Sequence, residues 1–258
     1  MKIKSLFFLA FLILISFNSL TQEKDRKFKI HTLAFYNLEN LFDTINDVNK
    51  NDEASPIMEI KFNRGNIYKQ KVSNMARVIS EIGYDVTNRP PTIVGICEVE
   101  NRDVVEDLIA DVKLSKYNYG IVHYDSPDNR GIDVGLLYNK DIFEVINSNS
   151  HELYITSNNT SERRYTRDQL VVSGRLDGEL IHVIVNHWPS RGADETKRIA
   201  AAEVNNNIID SLRKIHNNPK IITMGDFNDD PFDKSIKKIL GAKKKIEDVG
   251  KNDLFNPF

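Results

Sequence analysis

Acids, amides and an imidazole stand where apolar runs stop in this chain. Asn37 ends the run over 28–37, and Glu98 follows Ile93-Val94-Gly95-Ile96-Cys97. Asp133 opens the run to Tyr138, His187 ends the run over 180–187, and Asp226 and Asn228 follow Ile221-Ile222-Thr223-Met224-Gly225. A carboxylate beside a carboxamide, as at Asp226 and Asn228, suits a hard divalent ion, or a water and a phosphate oxygen held near one. Side chains alternate along a strand, so these two are expected on one face with Phe227 on the other. Each residue also has an ordinary structural reading. Asn37 suits a turn, Glu98 a solvated strand end, and His187 a satisfied core position. The stretch 226–230 suits an acidic loop in which Asp230 caps a helix that has Pro231 at its first position. The recurrence of such groups at several strand ends weighs against the ordinary readings, because strand termini in α/β sheets converge on the ligand crevice.

The scaffold that must position these groups is readable from periodicity. Residues 28–37 read as a strand and 43–64, rich in Asn and Asp, as a surface loop. Tyr68, Val72, Met75, Ile79 and Ile82 recur at helical spacing over 66–83, with Gly83 as the stop. The apolar run over 92–100 is continuous rather than alternating, which predicts a strand covered on both faces. A helix over 103–112, strands over 117–124 and 132–138, and a turn cluster at 126–131 follow. Asp177-Gly178 predicts a hairpin joining 169–176 to 180–188. Helices over 194–216 and 231–240 enclose a strand over 220–225. Strands interspersed with helices and one hairpin make the class α/β with mixed sheets.

At 258 residues the chain can bury one substantial core without splitting into domains. A net charge of −2 leaves no global footprint for nucleic acid, so a polyanion must be met by a local basic patch or by metal. Arg163, Arg164 and Arg167 with Tyr165 form such a patch, suited to a nucleic-acid backbone. Glu162 and Asp168 make a salt-bridged surface the competing reading. Lys2 and Lys4 precede a short uncharged apolar run, so residues 1–21 read as a signal peptide and 22–258 as the mature domain. Export to the periplasm or outside the cell is the expectation, with no stable membrane span after cleavage; an uncleaved anchor is the competing reading. Cys97 is the sole cysteine and has no partner for an internal disulfide, so the fold must rely on its core.

Five segments, in this order, carry a resemblance: Phe35-Tyr36-Asn37-Leu38-Glu39-Asn40, Gly95-Ile96-Cys97-Glu98-Val99, Tyr165-Thr166-Arg167, Val185-Asn186-His187-Trp188-Pro189-Ser190-Arg191 and Met224-Gly225-Asp226-Phe227-Asn228. With them the chain resembles the endonuclease/exonuclease/phosphatase superfamily. The resemblance implies a four-layer sandwich, two mixed β-sheets flanked by helices, and a metal-dependent phosphodiester hydrolase. It implies Glu98 as the main ligand of Mg²⁺ or Mn²⁺, helped by Asn37. Asp226 would orient or deprotonate the attacking water, Asn228 would hold a phosphate oxygen, and Arg167 would bind the scissile phosphate. His187 would act near the leaving group, and Asp133 would partner an active-site histidine. The family's closing Ser-Asp-His segment has no counterpart after Asp226, and His216 is the last histidine. The expectation is therefore a domain that lacks its final strands and is incomplete at the C-terminus. An exported nuclease, monomeric when complete, is the first functional reading, with nucleic acid or another phosphodiester as substrate. The alternatives are a secreted lipid or inositol-phosphate phosphoesterase, and a non-catalytic remnant that only binds ligand.

Overall fold

In the computed structural model, which describes residues 28–157, 160 and 162–258, the apolar run at 92–100 becomes a central strand. The first sheet orders β1 (Leu33–Leu41), β2 (Ile93–Val99), β4 (Asp133–Asn139) and β3 (Tyr119–His123). The second orders β10 (Lys220–Asp226), β9 (Glu179–His187), β8 (Gln169–Leu176) and β5 (Phe143–His151). β6 (Ile155–Thr156) and β7 (Arg163–Arg164) pair as a separate small ribbon. β1 runs parallel to β2 and β10 parallel to β9, while the other pairs are antiparallel, so both sheets are mixed. The long helices are α1 (Arg64–Glu81), α2 (Arg102–Ala110) and α3 (Glu195–Ile215), and a single four-residue turn of helix, Tyr84–Thr87, follows α1.

Alternation along the strands builds the layers. Val94 and Ile96 of β2 share a buried cluster with Val72, Met75 and Ile79 of α1 and with Val104, Val105 and Leu108 of α2. Ile93 and Cys97, the opposite set, pack with Val134 and Leu136 against Leu170, Val172, Val183 and Val185 of the second sheet. Val171 and Ile184 point the other way, onto Ile208 and Ile209 of α3. The result is helix, sheet, sheet, helix, the four-layer sandwich that the resemblance implied. The sheets approach closely at Gly95, where a Cβ would lie 2.8 Å from the Met224 sulfur.

Three local differences from the sequence reading have physical causes. β1 begins at Leu33 and extends past Asn37 to Leu41, because its pairing with β2 is interrupted after Asn37 by a bulge and resumes at Leu41 opposite Val99. Residues 143–151 alternate too weakly to read as a strand, yet they form β5 at a sheet edge, where one side is exposed and polar residues are at home. The expected helix over 231–240 is a five-residue π turn, Ser235–Ile239. Asp230 does not cap it: its carboxylate takes Arg191, and its own N–H donates to Asp233. The signal-peptide reading of 1–21 lies outside the described residues, among which no helix is long and apolar enough to cross a membrane.

One buried histidine gives a pH prediction. His182 on β9 is 1% exposed, its Nδ1 lies 2.7 Å from the Ser173 hydroxyl, and its Nε2 has no partner among the described residues. Burial, and then the His216 ring stacked 4.8 Å away, lowers its pKa. The unfolded chain takes up this proton below about pH 6.5 while the folded chain resists it. Stability contributed here is therefore present above that pH and lost on acidification. Denaturant melts at about pH 7.5 and about pH 5 should show a smaller difference in His182→Gln than in wild type. An identical difference in both proteins would refute the assignment.

Candidate active site

Two backbone irregularities aim the first acid. β1 and β2 lose register between Asn37 and Leu41, and β2 and β4 lose it between Cys97 and Val99. Glu39, Asn40 and Glu98 take the left-handed backbone, with φ of 51°, 57° and 59°. Glu39 and Glu98 are neither glycine nor asparagine, so each holds strain of order 1–2 kcal/mol that packing must offset. The bulge at Glu98 returns Val99 to the helix-side cluster and turns the Glu98 carboxylate out at the sheet end.

Asn37 ties the two sheets together. Its Oδ1 accepts from the Glu39 N–H at 2.8 Å, which presents Nδ2 to Glu98 Oε1 at 3.0 Å and Asp226 Oδ2 at 3.2 Å. Glu98 Oε2 accepts from the Asn40 N–H at 3.0 Å. Asn37 thus offers its amide hydrogens to both acids, one from each sheet, and holds Glu98 in place. Lys71 of α1 locks the bulge from behind, donating to the carbonyls of Glu39 and, at 2.9 Å, Asn40. Lys71→Met should release the bulge and weaken Mn²⁺ binding about tenfold, the size of effect seen when an outer support of a metal ligand is lost. A metal titration that matches wild type would remove Lys71 from the site.

The second sheet contributes neighbouring strand ends, since β9 and β10 pair Asp226 with His187. Asp226 Oδ1 accepts from the Asn228 N–H at 3.0 Å, so both of its oxygens are held. Asn228 lies beyond the strand in the left-handed region, and its Nδ2 donates to the Trp188 carbonyl at 3.0 Å. Phe227 turns away onto Trp188, ring to ring at 4.8 Å. His187 Nε2 stands 3.8 Å from Glu98 Oε1, and its buried Nδ1 has no partner. Burial first, then the charges of Arg167 and Arg130, pushes its pKa down to about 2, so the imidazole is neutral at neutral pH.

Arg167 is buried in the wall behind His187. Its guanidinium donates to Asp128 at 3.3 Å and to the Trp188 carbonyl at 2.7 Å, and its Nε has no partner. Asp133 pairs with a histidine, namely His123, at 3.1 Å, while its other oxygen accepts from the Ser126 N–H and hydroxyl. It lies opposite Val99, one strand over from Glu98, and anchors the loop that carries Asp128. The structure therefore gathers Asn37, Glu98, His187, Asp226 and Asn228 in one place with Arg167 behind His187, whereas Asp133 groups with His123 and Asp125 rather than with the histidine of this cluster.

The donor set fits a divalent cation. Ligand atoms of Glu98, His187 and Asp226 all lie within 4.8 Å of one another. Two carboxylates that close repel unless a cation or donors intervene, and among the described residues Asn37 is what bridges them. Few carboxylates with room for water suit Mg²⁺, and an imidazole beside them also suits Mn²⁺. Sequence reasoning missed Lys71, Asp128, Arg198 and Asp229. A signal existed for Lys71, which lies three residues after Tyr68 and four before Met75, within the buried stripe of α1. Asp128 sits in a turn cluster, where an acid is unremarked.

Comparison with known proteins follows the same lines. Among solved structures, the chain is similar to a functionally unknown conserved protein from Enterococcus faecalis V583, at 17% identity and TM-score 0.55, over 81% of this chain and 71% of that one. An endonuclease/exonuclease/phosphatase family protein from Bacteroides thetaiotaomicron is similar at 14% identity and TM-score 0.52, over 80% and 66%. A mannosyl-6-phosphatase of B. thetaiotaomicron VPI-5482 is similar at 14% and 0.52, over 81% and 69%. At such identities the likeness speaks for the fold alone, and this chain spans about two thirds of those chains. No curated protein is a significant match. The model of the Endonuclease/Exonuclease/phosphatase family matches residues 32–258, and with the sandwich and the clustered strand ends this places the chain in that family: it belongs to the endonuclease/exonuclease/phosphatase family.

Proposed function

We propose that this chain is a divalent-metal-dependent phosphodiester hydrolase whose substrate is nucleic acid. The observation that carries the reading is the meeting of Glu98 from one sheet with His187 and Asp226 from the other, within 4.8 Å. Glu98 is the residue to hold Mg²⁺ or Mn²⁺, with His187 and Asp226 beside it. When bound, the metal supplies positive charge against the phosphate oxygens and lowers the pKa of water. The remaining work falls to side chains. Asp226, held at both oxygens, is oriented to accept the proton of the attacking water. Asn228 spends one amide hydrogen on Trp188 and keeps the second for a phosphate oxygen. Arg167 contributes a fixed guanidinium where negative charge grows on the equatorial oxygens. His187, neutral and close to Glu98, offers one donor and one acceptor near the leaving oxygen.

Nucleic acid is favoured over a lipid because two exposed cations, Arg130 and Arg164, stand near Arg167. Export, on this reading, delivers the enzyme to substrates outside the cytoplasm, and N-terminal sequencing of secreted protein would test it. The functional test incubates the chain with plasmid DNA and single-stranded oligonucleotides, with Mg²⁺, Mn²⁺ or chelator. Parallel arms hold sphingomyelin vesicles, an inositol phosphate and a sugar phosphate. Cleavage of nucleic acid that chelator abolishes is the expected result. Turnover confined to another arm would overturn the substrate, and full turnover in chelator would overturn the metal. Binding of Mn²⁺ and oligonucleotide with no turnover in any arm would leave a ligand-binding remnant as the better reading.

A further inference from the structure

Beside the cleft, the ribbon of β6 and β7 carries a stack of side chains that the hydrolytic site does not use. Tyr154 precedes β6, Arg163 lies in β7, and Tyr165 follows it. The Arg163 guanidinium carbon is 5.2 Å from the Tyr154 ring centroid and 4.5 Å from that of Tyr165. Glu152 pairs with Arg163, which fixes the guanidinium and offsets its charge. Even so, Tyr154 is 59% exposed and Tyr165 48% exposed. Arg163 covers part of each ring and leaves the remainder to solvent. Rings held this way need no ordering when a partner arrives, which lowers the entropic cost of binding.

The ribbon is fixed to the wall of the site. Leu153 and Ile155 are buried in one cluster with Trp188, Ala201 and Ala202, and Lys197 of α3 donates to the Thr156 carbonyl. Tyr165 is two residues from Arg167, at most about 7 Å along the chain. Arg164 is exposed with no ion pair among the described residues, and Arg130 is half exposed with Asp128 at 3.6 Å. Arg163 and Tyr165 of the stack and the guanidinium that the mechanism assigns to the scissile phosphate therefore issue from one short segment, with the exposed cations Arg164 and Arg130 nearby.

We propose that Tyr154, Arg163 and Tyr165 form a stacking platform for an unpaired base of single-stranded nucleic acid, next to the phosphate held at Arg167. The proposal rests on the nuclease reading and deepens it by naming the substrate form. A base in a duplex already has stacking neighbours, whereas an unpaired one offers a free π face that any aromatic ring can take. The exposed charges of Arg164 and Arg130 add attraction for the phosphate backbone without sequence readout. Charge interleaved with the tyrosines argues against a lipid surface, which an apolar patch would suit better.

The test compares two fluorescent single strands of equal length and charge, one with thymine bases and one abasic throughout, bound in chelator so that neither is cut. Wild type should bind the base-bearing strand about tenfold more tightly, since stacking on an aromatic ring is a sequence-tolerant contribution of that order. Tyr165→Leu and the Tyr154→Leu/Tyr165→Leu pair should lose that margin and bind the abasic strand as wild type does. Tyr165→Phe should keep it, which separates stacking from loss of the hydroxyl. Both rings are exposed, so melting temperatures should stay unchanged. If wild type cleaves nucleic acid but the leucine variants keep the margin, the platform is refuted while the nuclease reading stands. If wild type binds neither strand and cuts no nucleic acid, both fall. Tyrosine-dependent binding to anionic lipid vesicles, with no preference between the strands, would also refute the platform and point to a membrane.

Discussion

Glu98→Gln is expected to lower phosphodiester turnover by about a thousandfold, some 4 kcal/mol of transition-state stabilisation, and to weaken Mn²⁺ binding at the same time. The substitution keeps the shape of the side chain and removes only the charge. That charge is the one component of the cluster supplied by the first sheet; Asp226 and His187 come from the second. Asn37 Nδ2 and the Asn40 N–H both donate to the carboxylate, so the glutamine leaves one donor facing another donor. A modest loss of stability follows, of about 1 kcal/mol. Glu98→Gly separates the two effects. Glycine accepts φ of 59° without strain, which offsets part of the cost of leaving Asn37 Nδ2 and the Asn40 N–H without their acceptor, so this variant should be equally inactive and no less stable than Glu98→Gln. Glu100→Gln is the local control. Glu100 is two residues on, accepts the Asp43 N–H at 2.7 Å, and is pushed up to about 7 by burial, so it carries only part of a charge at neutral pH. Its loss should change turnover no more than a few-fold. Retention of Mn²⁺ binding and turnover in Glu98→Gln would remove Glu98 from the centre of the site.

The elements that periodicity specifies are those the sequence made legible. α1 and α3 carry a buried stripe at helical spacing, and Asp177-Gly178 supplies the two left-handed residues, φ 50° and 86°, that a tight hairpin requires. β5 escaped notice because an edge strand needs only one buried face and tolerates polar residues on the other. The helix expected after Pro231 failed for a different reason. Its cap signal was genuine, and Asp233 accepts from the Asp230 N–H as the third residue of a capping box would, but the Asp230 carboxylate is drawn to Arg191 and not to the helix N–H groups. In the site, strand-end residues were legible because strands end where polarity begins. What binds them together was not. Glutamate has no preference for the left-handed region, so nothing in the residue types at Glu39 and Glu98 announces the bulges that aim them. Those conformations are imposed by β-pairing on one side and Lys71 on the other, which are long-range terms.

Arg198→Leu is expected to destabilise the fold by roughly 3–5 kcal/mol, the range for breaking a buried ion pair from one side. Arg198 sits on α3 with its side chain 8% exposed, and its Nε donates to Asp229 at 2.6 Å, whose own side chain is 2% exposed. Its Nη1 donates to the carbonyls of Ser190 and Ala193 at 3.0 and 3.1 Å. One guanidinium thus joins the loop after His187 to the loop after Asp226, and Ser235 completes the second by donating to the far oxygen of Asp229. The leucine leaves that carboxylate buried with Arg191, 3.9 Å away, as its nearest cation. The cost therefore arises from the stranded charge more than from the lost attraction, and a double variant separates the two. Arg198→Leu with Asp229→Asn should be more stable than Arg198→Leu alone, by about 1–3 kcal/mol of coupling in denaturant melts. Turnover should fall about ten- to a hundredfold in Arg198→Leu even at temperatures where it is folded, because His187 and Asp226 lose their common support. If the double variant is no more stable than the single one, Asp229 is not left uncompensated, and the two loops are held by packing instead.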